Sequence, residues 1–254
     1  MNERNFPDPY RYDFDWDVDD GNSFDLLASP QGQQTHRYMK DGVYTGKVRV
    51  KDDDGVTPVE ATFAVTVNNV PPVISQVEPL EIVLLTEGVP FDISVIADDA
   101  GNDPLIYRYS LDGCEFIDGL TEGLNLRQTR AVCPDDRQYL LVVEVCDDAQ
   151  ACVRRESPIN VDNFVPEIEA IVAAPDGPID EGQPVRLTVT ANDPGDDTLL
   201  YSFDFDGDGE FEDDVAGAVD SSAQHVYHQP GEYTIAVQVS DQDAGGITIQ
   251  RLQV

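Results

Sequence analysis

Apolar and acidic residues alternate along one stretch of the chain, Tyr201–Asp214, which reads YSFDFDGDGEFEDD. In an extended chain, Phe203 and Phe205 fall on one side and Asp204 and Asp206 on the other, because successive side chains of a strand point to opposite faces. The pattern predicts a β-strand with an aromatic face toward the core and a carboxylate face toward solvent. The glycines that follow predict that the strand ends there.

This stretch occurs three times in the chain. Related sequences begin at Tyr12 (YDFDWDVDDGNSFD) and Tyr107 (YRYSLDGCEFID), so successive copies lie 95 and 94 residues apart. A second tyrosine keeps the same period, as Tyr44, Tyr139 and Tyr233. A period of this size fits one Ig-sized domain, and the chain is therefore predicted to be one domain written three times.

Short alternating segments between Gly, Pro and Asp predict an all-β chain with no convincing helix. Strands are predicted in the third repeat near 168–173, 185–191, 199–205, 233–240 and 247–254. The segment 120–131 has no regular alternation and is predicted to be irregular. The expected fold is a linear array of tandem Ig-like β-sandwich domains, with boundaries at 1–70, 71–165 and 166–254.

The first repeat differs from the others at its start. Counting back from the third repeat places its first strand about 22 residues before Met1. The first domain is therefore expected to lack two strands, either because the sequence is a piece of a longer protein or because another chain donates a strand. We expect it to be the least stable domain, since a missing strand exposes a sheet edge. The turn 52–55 is predicted to close its last hairpin.

The charge of the chain is extreme, with 50 acidic residues, 15 Lys and Arg, and a net charge of −35. Such a surface repels nucleic acid and anionic membranes, so neither is an expected partner. No run of 18 apolar residues predicts a membrane span. An acidic surface of this kind either collects cations or stays hydrated, as adaptation to high salt would require.

Four residues keep fixed offsets in two repeats: His36, Tyr38, Gly42 and Tyr44 recur as His225, Tyr227, Gly231 and Tyr233. Together with the segments EGQPVRLTVTANDPGDD and HVYHQPGEYTIAVQVSD, they resemble the polycystic kidney disease (PKD) domain, an Ig-like β-sandwich. The middle repeat departs from the pattern, with Ala131, Cys133 and Arg137 in place of His, Tyr and Gly. The tyrosines that open the penultimate strands also occupy the place of a tyrosine corner, where the hydroxyl is predicted to bond a nearby backbone group.

The resemblance implies a non-enzymatic, extracellular or cell-surface segment that acts as a semi-rigid spacer or adhesive module. Its expected partners are neighbouring domains of a longer chain, other cell-surface proteins or like subunits. The alternative is a substrate-binding accessory module of a secreted hydrolase, although Trp16, the only Trp, is expected in the core rather than on a binding platform. No HExxH, P-loop or nucleophile elbow is present, and the three His (His36, His225 and His228) belong to the repeat motif or its turn.

The acidic strand is the first candidate calcium site. Asp204, Asp206, Asp208 and the glycine after them match the first half of an EF-hand loop, but Val215 stands at the twelfth position and no helices flank the loop. Carboxylates can converge on one ion only if the backbone curls, which Gly207 permits. The alternative is a solvated polar face. The candidate ligands are Asp204, Asp206, Asp208 and Glu210 in the third repeat, and Asp15, Asp17 and Asp19 in the first.

A second group of candidates lies around the linkers VNNVPPVI (67–74) and VDNFVPEI (161–168). In an Ig-like sandwich, the loop between the second and third strands and the last hairpin turn lie at the end where the domain begins. Oxygen-bearing side chains gathered there suit Ca²⁺, although Asp and Asn are also ordinary turn residues. The candidates near the first linker are Asn68, Asn69, Asp98, Asp99, Asp103 and Asp147. Those near the second are Glu87, Asp162, Asn163, Asp193, Asp196 and Asp241.

All four cysteines lie in the middle repeat and form no CxxC pair, so two disulfides and an oxidising compartment are expected. Alignment of the repeats places Cys114 at Asp208 and Cys133 at Tyr227, two positions expected at the same end of the sandwich. Cys146 and Cys152 face each other across the last hairpin. The predicted pairs are therefore Cys114–Cys133 and Cys146–Cys152. Because the middle repeat lacks the acidic cluster where it has Cys114, the first disulfide is expected to take the place of a cation at that end.

Overall fold

The computed structural model describes residues 10–52, 57–79, 83–212, 217 and 219–254. Within them the chain has nineteen β-strands and no helix, which confirms the all-β prediction. None of the described residues belongs to a helix that could cross a membrane. The predicted turn after Asp52 and position 215 lie outside the described residues.

The residues form two compact units. The first contains the described residues up to Ser75, together with Ala97–Ile106 and Val145–Val153. The second contains the described residues of Gln76–Ile96, Tyr107–Glu144 and Arg154–Val254. The division of the chain into three domains stays a prediction, as does the low stability of the first.

The first repeat forms one antiparallel sheet in the order β2-β1-β3-β4. Its strands are β1 (Arg11–Asp15), β2 (Leu26–Ser29), β3 (Gly42–Lys51) and β4 (Val59–Val67). The carboxylate face predicted to be solvated is buried here, because Asp13 accepts hydrogen bonds from Arg49 Nε at 2.7 Å and the Ala28 amide at 2.7 Å. The prediction that the carboxylate face of this strand is solvated is therefore wrong.

The middle repeat forms two sheets in the orders β10-β8-β12-β13-β6 and β5-β7-β11-β9. Its strands are β5 (Val73–Glu78), β6 (Leu84–Thr86), β7 (Phe91–Asp98), β8 (Ile106–Leu111), β9 (Glu115–Phe116), β10 (Glu122–Leu124), β11 (Gln128–Val132), β12 (Gln138–Cys146) and β13 (Cys152–Asp162). The prediction that 120–131 is irregular is wrong, since β10 and most of β11 lie there. The buried side chains of β11 are Thr129 and Ala131, which are too polar or too small to produce a hydrophobic alternation.

The third repeat forms sheets in the orders β14-β15-β17 and β16-β18-β19. Its strands are β14 (Glu167–Ala174), β15 (Pro184–Asn192), β16 (Leu200–Asp204), β17 (Ser222–Val226), β18 (Thr234–Ser240) and β19 (Ile247–Gln253). Alternate residues of β15 are buried, and they share one core with Phe203 and Phe205 and with alternate residues of β18. The hydrophobic face of the period-two pattern therefore forms the core, as predicted.

The predicted tyrosine corner is present in all three repeats. The hydroxyl of Tyr44 donates to the Lys40 carbonyl at 2.8 Å. The equivalent bonds run from Tyr139 to Asp135 at 2.9 Å and from Tyr233 to Gln229 at 2.8 Å. Each bond spans four residues and fixes the turn before the penultimate strand.

Candidate cation sites

Strand ends of the second unit bring five oxygen-bearing side chains together, and we call this set the second acidic cluster: Glu87, Asn163, Asp193, Asp197 and Asp241. Glu87 follows β6, Asn163 follows β13, and Asp193 follows β15. The parallel pairing of β13 with β6, continued by a bond from the Glu87 amide to the Asp162 carbonyl at 3.1 Å, places Glu87 beside the linker. A glycine must follow Glu87, because Gly88 has φ +64° and an added Cβ would lie 2.0 Å from the Pro194 carbonyl oxygen.

Carboxylate oxygens of Glu87, Asp193 and Asp197 lie within 4.8 Å of one another. Two oxygens bound to one Ca²⁺ lie at most about 5 Å apart, so this spacing fits a shared ion. Glu87 is 0% exposed, and its Oε1 accepts a hydrogen bond from the Phe164 amide at 2.8 Å. Asn163 Nδ2 donates to Asp241 Oδ2 at 3.0 Å, which holds the linker to the last hairpin.

Four buried oxygens of the second acidic cluster have no donor among the described residues: Glu87 Oε2, Asn163 Oδ1, Asp193 Oδ2 and Asp197 Oδ2. When the carboxylates are ionised all four are acceptors, so in that state they cannot satisfy one another. None of the ion pairs that the described residues form involves Glu87, Asp193 or Asp197. The arrangement is that of an oxygen cage for a hard cation.

The pKa values of two carboxyl groups in the second acidic cluster are raised, as expected for buried carboxylates that lie close together. Burial raises the pKa of Glu87 to about 7, and the nearby Asp197, Asp193 and Asp136 add to the effect, against the opposing bond from the Phe164 amide. Burial, with repulsion from surrounding carboxylates, also raises the pKa of Asp197 to about 6. Without a bound cation the cluster therefore holds protons that ordinary carboxyl groups release.

The first unit contains a similar set, which we call the first acidic cluster: Asn69, Asp99, Asp103 and Asp147. Asn69 Nδ2 donates to Asp147 Oδ2 at 2.7 Å, and the Gly101 amide donates to Asp99 Oδ1 at 2.7 Å. Asp103 and Asp147 are buried. This cluster contains a basic side chain, because Lys40 Nζ donates to Asp103 Oδ1.

The acidic loop after β16 curls as a cation site requires. Gly207 and Gly209 have φ +75° and +95°, and their amides donate to the two oxygens of Asp204 at 2.7 and 3.1 Å. Asp204 is therefore 2% exposed, against the prediction that it faces solvent. The carboxylates that gather within 4.8 Å are Asp204, Asp206 and Glu212, whereas Asp208 and Glu210 are exposed and stand outside this group.

The corresponding loop of the first repeat has a similar backbone bond, but its carboxylates do not converge. Asp25 takes the role of Glu212: each accepts a bond from a strand-end amide, Trp16 at 2.8 Å and Phe205 at 2.8 Å. Asp15 is buried and Asp19 is exposed. Among the described residues, Asp15, Asp17 and Asp19 do not form a set of three carboxylates within 4.8 Å of one another.

Several predicted ligands are not members of the clusters that the structure forms. Asn68, Asp98, Asp162 and Asp196 are exposed. Two members of the clusters were not predicted, Asp197 and Glu212. Asp197 could have been found from the period, because it lies 94 residues after Asp103. Glu212 gave no such signal, since its place depends on how the loop folds back, with its amide bonded to the Phe203 carbonyl at 3.0 Å.

The disulfides join Cys114 to Cys133 and Cys146 to Cys152, the pairs that the repeat alignment predicts. In the first and third repeats the position of Cys133 carries a tyrosine whose hydroxyl holds the end of the acidic strand. Tyr227 donates to the Phe205 carbonyl at 2.7 Å, and Tyr38 donates to the Trp16 carbonyl at 3.0 Å. A covalent bond in the middle repeat thus replaces a hydrogen bond in the other two.

Replacing Tyr227 by Phe should lower the free energy of unfolding of the third repeat by about 1 kcal/mol, because the buried Phe205 carbonyl loses its donor. Tyr201→Phe is the matched control, since Tyr201 is a buried tyrosine whose hydroxyl bonds to no described residue. Urea unfolding of both variants measures the difference. Equal stability of the two variants would show that the Tyr227 hydroxyl does not hold the strand end.

Aromatic residues of the first repeat stack on one another, but the prediction that Trp16 lies in the core is wrong: Trp16 is half-buried and its stacking partner His36 is exposed. Trp16 stacks on Phe14 at 5.3 Å and on His36 at 5.1 Å between ring centroids. The third repeat has the same arrangement, with Phe205 against His225 at 4.7 Å. The recurring His therefore contributes to a ring stack, as a structural residue of the motif.

A family model described as PKD domain matches residues 3–67 and 166–253. No curated protein sequence matches the chain. Among solved structures, the fibronectin(III)-like modules of Clostridium thermocellum CbhA are 15% identical, over 72% of this chain and 92% of theirs, with a TM-score of 0.29. Drosophila N-cadherin EC1-3 is 14% identical, over 100% and 90%, with a TM-score of 0.33. Drosophila OTK extracellular domains 3-5 are 10% identical, over 100% and 87%, with a TM-score of 0.32. These scores are too low to indicate a shared arrangement or function.

Proposed function

The chain belongs to the PKD domain family, and we propose that it is a non-catalytic structural or adhesive segment of an extracellular protein, in which calcium bound at the second acidic cluster stiffens the linker 161–168. The observation that carries the proposal is the set of four buried acceptor oxygens around Glu87 that have no donor among the described residues. A semi-rigid spacer requires restrained linkers, and this cluster includes Asn163 of the linker 161–168.

Calcium is the cation that fits the donor set best. The available ligands are carboxylate and amide oxygens, which favour a hard cation over zinc or copper. Ca²⁺ takes six to eight oxygens in flexible geometry, whereas Mg²⁺ demands a near-ideal octahedron and keeps several waters. Three carboxylates from two strand ends, Glu87 after β6 and Asp193 and Asp197 in the loop after β15, together with a linker amide, suit the more tolerant ion.

An ion at this site would act directly on the linker. Asn163 would supply its Oδ1 as a ligand, and the Phe164 amide is already bonded to Glu87 Oε1 at 2.8 Å. Three of the residues that would hold the ion, Glu87, Asp193 and Asp197, belong to elements on either side of the linker in the sequence. Binding would therefore restrain the backbone of the linker from both sides.

The acidic loop after β16 is a second place where calcium could bind, at Asp204, Asp206 and Glu212. Glu212 Oε2 is buried without a donor among the described residues, while both oxygens of Asp204 are already bonded to amides. We propose that this loop binds the ion less tightly than the second acidic cluster does, because all three of its carboxylates accept bonds from backbone amides. Only one of its buried oxygens lacks a donor among the described residues, against four in the second acidic cluster.

The test is thermal unfolding of EDTA-treated protein with and without Ca²⁺. Ligand at ten times its Kd should stabilise the protein by about 1.4 kcal/mol, which corresponds to a rise in melting temperature of roughly 3–6 °C for a unit of this size. Asp197→Asn should remove most of the rise. Asp196→Asn, the exposed neighbour with the same loss of charge, should keep it.

Identical melting with and without millimolar Ca²⁺ would refute a calcium site. A rise that Asp197→Asn leaves intact but Asp206→Asn abolishes would move the site to the acidic loop. Hydrogen exchange then tests the stiffening itself: the Asn163 and Phe164 amides should exchange more slowly when calcium is bound, and unchanged exchange would separate binding from any mechanical role.

A further inference from the structure

The two acidic clusters are built from the same positions of the repeat. A shift of 94 residues converts each member of the first into one of the second: Asn69 into Asn163, Asp99 into Asp193, Asp103 into Asp197 and Asp147 into Asp241. The internal bonds are shared as well. The amide of Gly195 donates to Asp193 Oδ1 at 2.8 Å, as that of Gly101 does to Asp99 Oδ1 at 2.7 Å. Any difference in cation binding must therefore come from the residues around this common frame.

Lys40 is one such difference. Its Nζ donates to Asp103 Oδ1 and lies 3.8 Å from Asp148 Oδ2, so that one ammonium group contacts two carboxylates. The Asp103 side chain is 2% exposed, and the Lys40 side chain is 50% exposed. The backbone that carries the lysine is fixed, because the Tyr44 hydroxyl bonds the Lys40 carbonyl.

The aligned position of the next repeat carries the opposite charge. Asp135 lies 95 residues after Lys40, and its carbonyl accepts the equivalent bond from Tyr139. Asp135, Asp136 and Glu87 have carboxylate oxygens within 4.8 Å of one another, so this turn adds negative charge beside the second acidic cluster. The nearby Arg137 lies over the Tyr139 ring, with its Nε 3.9 Å from Asp135 Oδ2.

We infer that the Lys40 ammonium is the resident cation of the first acidic cluster and excludes a divalent ion from it, so that of the two linker clusters only the second binds calcium. The inference rests on the proposed function for the role of calcium, but not for the role of the lysine. A Ca²⁺ ion at Asp103 would have to displace the ammonium group and bear its repulsion. The linker at 67–74 would then be held independently of calcium, and only the one at 161–168 would respond to it.

The number of buried oxygens without a hydrogen-bond donor also differs between the two clusters, as the inference requires. In the second acidic cluster four buried oxygens have no donor among the described residues, whereas in the first only Asp99 Oδ2 is in that state. The tethered ammonium group neutralises Asp103, and a single orphaned oxygen remains in the first acidic cluster. The members of the first acidic cluster, Asn69, Asp99, Asp103 and Asp147, are therefore assigned to a set closed by the lysine rather than to a metal site.

The experiment counts calcium ions bound by the full 254-residue chain, using equilibrium dialysis with Ca²⁺ alone as the probe. Lys40→Asp installs the residue found at the aligned position and should bind one more ion than the wild type. Arg11→Gln, which removes a positive charge from an exposed arginine outside the ion pairs of the described residues, should bind no more. Asp103→Asn should leave the wild-type number unchanged.

An unchanged number of ions for Lys40→Asp, or an ion lost in Asp103→Asn, would overturn the inference. If the second acidic cluster does not bind calcium, Asp197→Asn and the wild type will bind the same number of ions. An additional ion bound by Lys40→Asp would support the role of the lysine even in that case. If Lys40→Asp does not fold, Lys40→Gln decides. In EDTA its melting temperature should fall by roughly 4 °C more than that of Arg11→Gln, and equal shifts would refute the resident cation.

Discussion

Raising the pH of the calcium-free protein from 5 to 7.5 is expected to destabilise it through Glu87. The pKa of this carboxyl is about 7 in the folded protein, against an ordinary value of 4.5. Between those two values the folded state holds a proton that the unfolded state has released, so the free energy of unfolding falls as the pH rises. A shift of this size corresponds to about 3 kcal/mol.

Other groups either reinforce this trend or act outside its range. The pKa values of Asp193 and Asp197 are raised mainly by burial, so their contributions have the same sign. Asp13 has the opposite sign: burial opposes its ionisation, but hydrogen bonds from Lys51, the Ala28 amide and Arg49 lower its pKa overall. Its contribution is lost only as the pH falls below 3.8, and therefore does not mask the effect of Glu87.

Thermal unfolding in EDTA between pH 5 and 7.5 measures the effect. Glu87→Gln should reduce the slope because an amide does not titrate, and the slope that remains should come from Asp193 and Asp197. Calcium should reverse the trend, since protons and metal compete for the same oxygens: its stabilisation should be largest at pH 7.5 and fade toward pH 5. A wild type and a Glu87→Gln variant with the same pH dependence would show that Glu87 does not titrate in this range.

The fold was predictable because it depends on periodic features of the sequence. The alternation around Phe203 and the spacing of Tyr44, Tyr139 and Tyr233 indicate strands and repeats, and hydrophobic burial enforces both. The same reasoning gave the cysteine pairs, because aligned positions of a repeated domain occupy equivalent places. The short strands β9 and β10 were missed, since two or three residues cannot display a period.

The cation clusters were only partly predictable, for a different physical reason. Asp196 and Asp197 are neighbours of the same type, and only the backbone of their loop decides which one is turned toward Glu87. The partner of Asp103 is Lys40, 63 residues away, and no local pattern indicates that pairing. Asp204 was expected in solvent because carboxylates usually are, but two glycine amides satisfy it inside the loop.

Replacing Cys114 and Cys133 by Ser should lower the free energy of unfolding of the middle repeat by about 3 kcal/mol. The disulfide joins residues 19 apart, and closing a loop of that length restricts the unfolded chain. No hydrogen bond of the variant replaces the lost disulfide. In the other repeats a tyrosine hydroxyl reaches the end of the strand, and the serine side chain is too short to do so. The loss should therefore appear almost in full.

The second disulfide provides the matched comparison. Cys146 and Cys152 are 6 residues apart, so replacing both by Ser should cost less, roughly 2 kcal/mol on the same model. Urea unfolding of the two double variants under identical conditions measures the order. A larger loss for Cys146→Ser with Cys152→Ser would contradict loop closure as the source of stability. It would indicate instead that the last hairpin, which carries Asp147 of the first acidic cluster, depends on its crosslink for more than chain entropy.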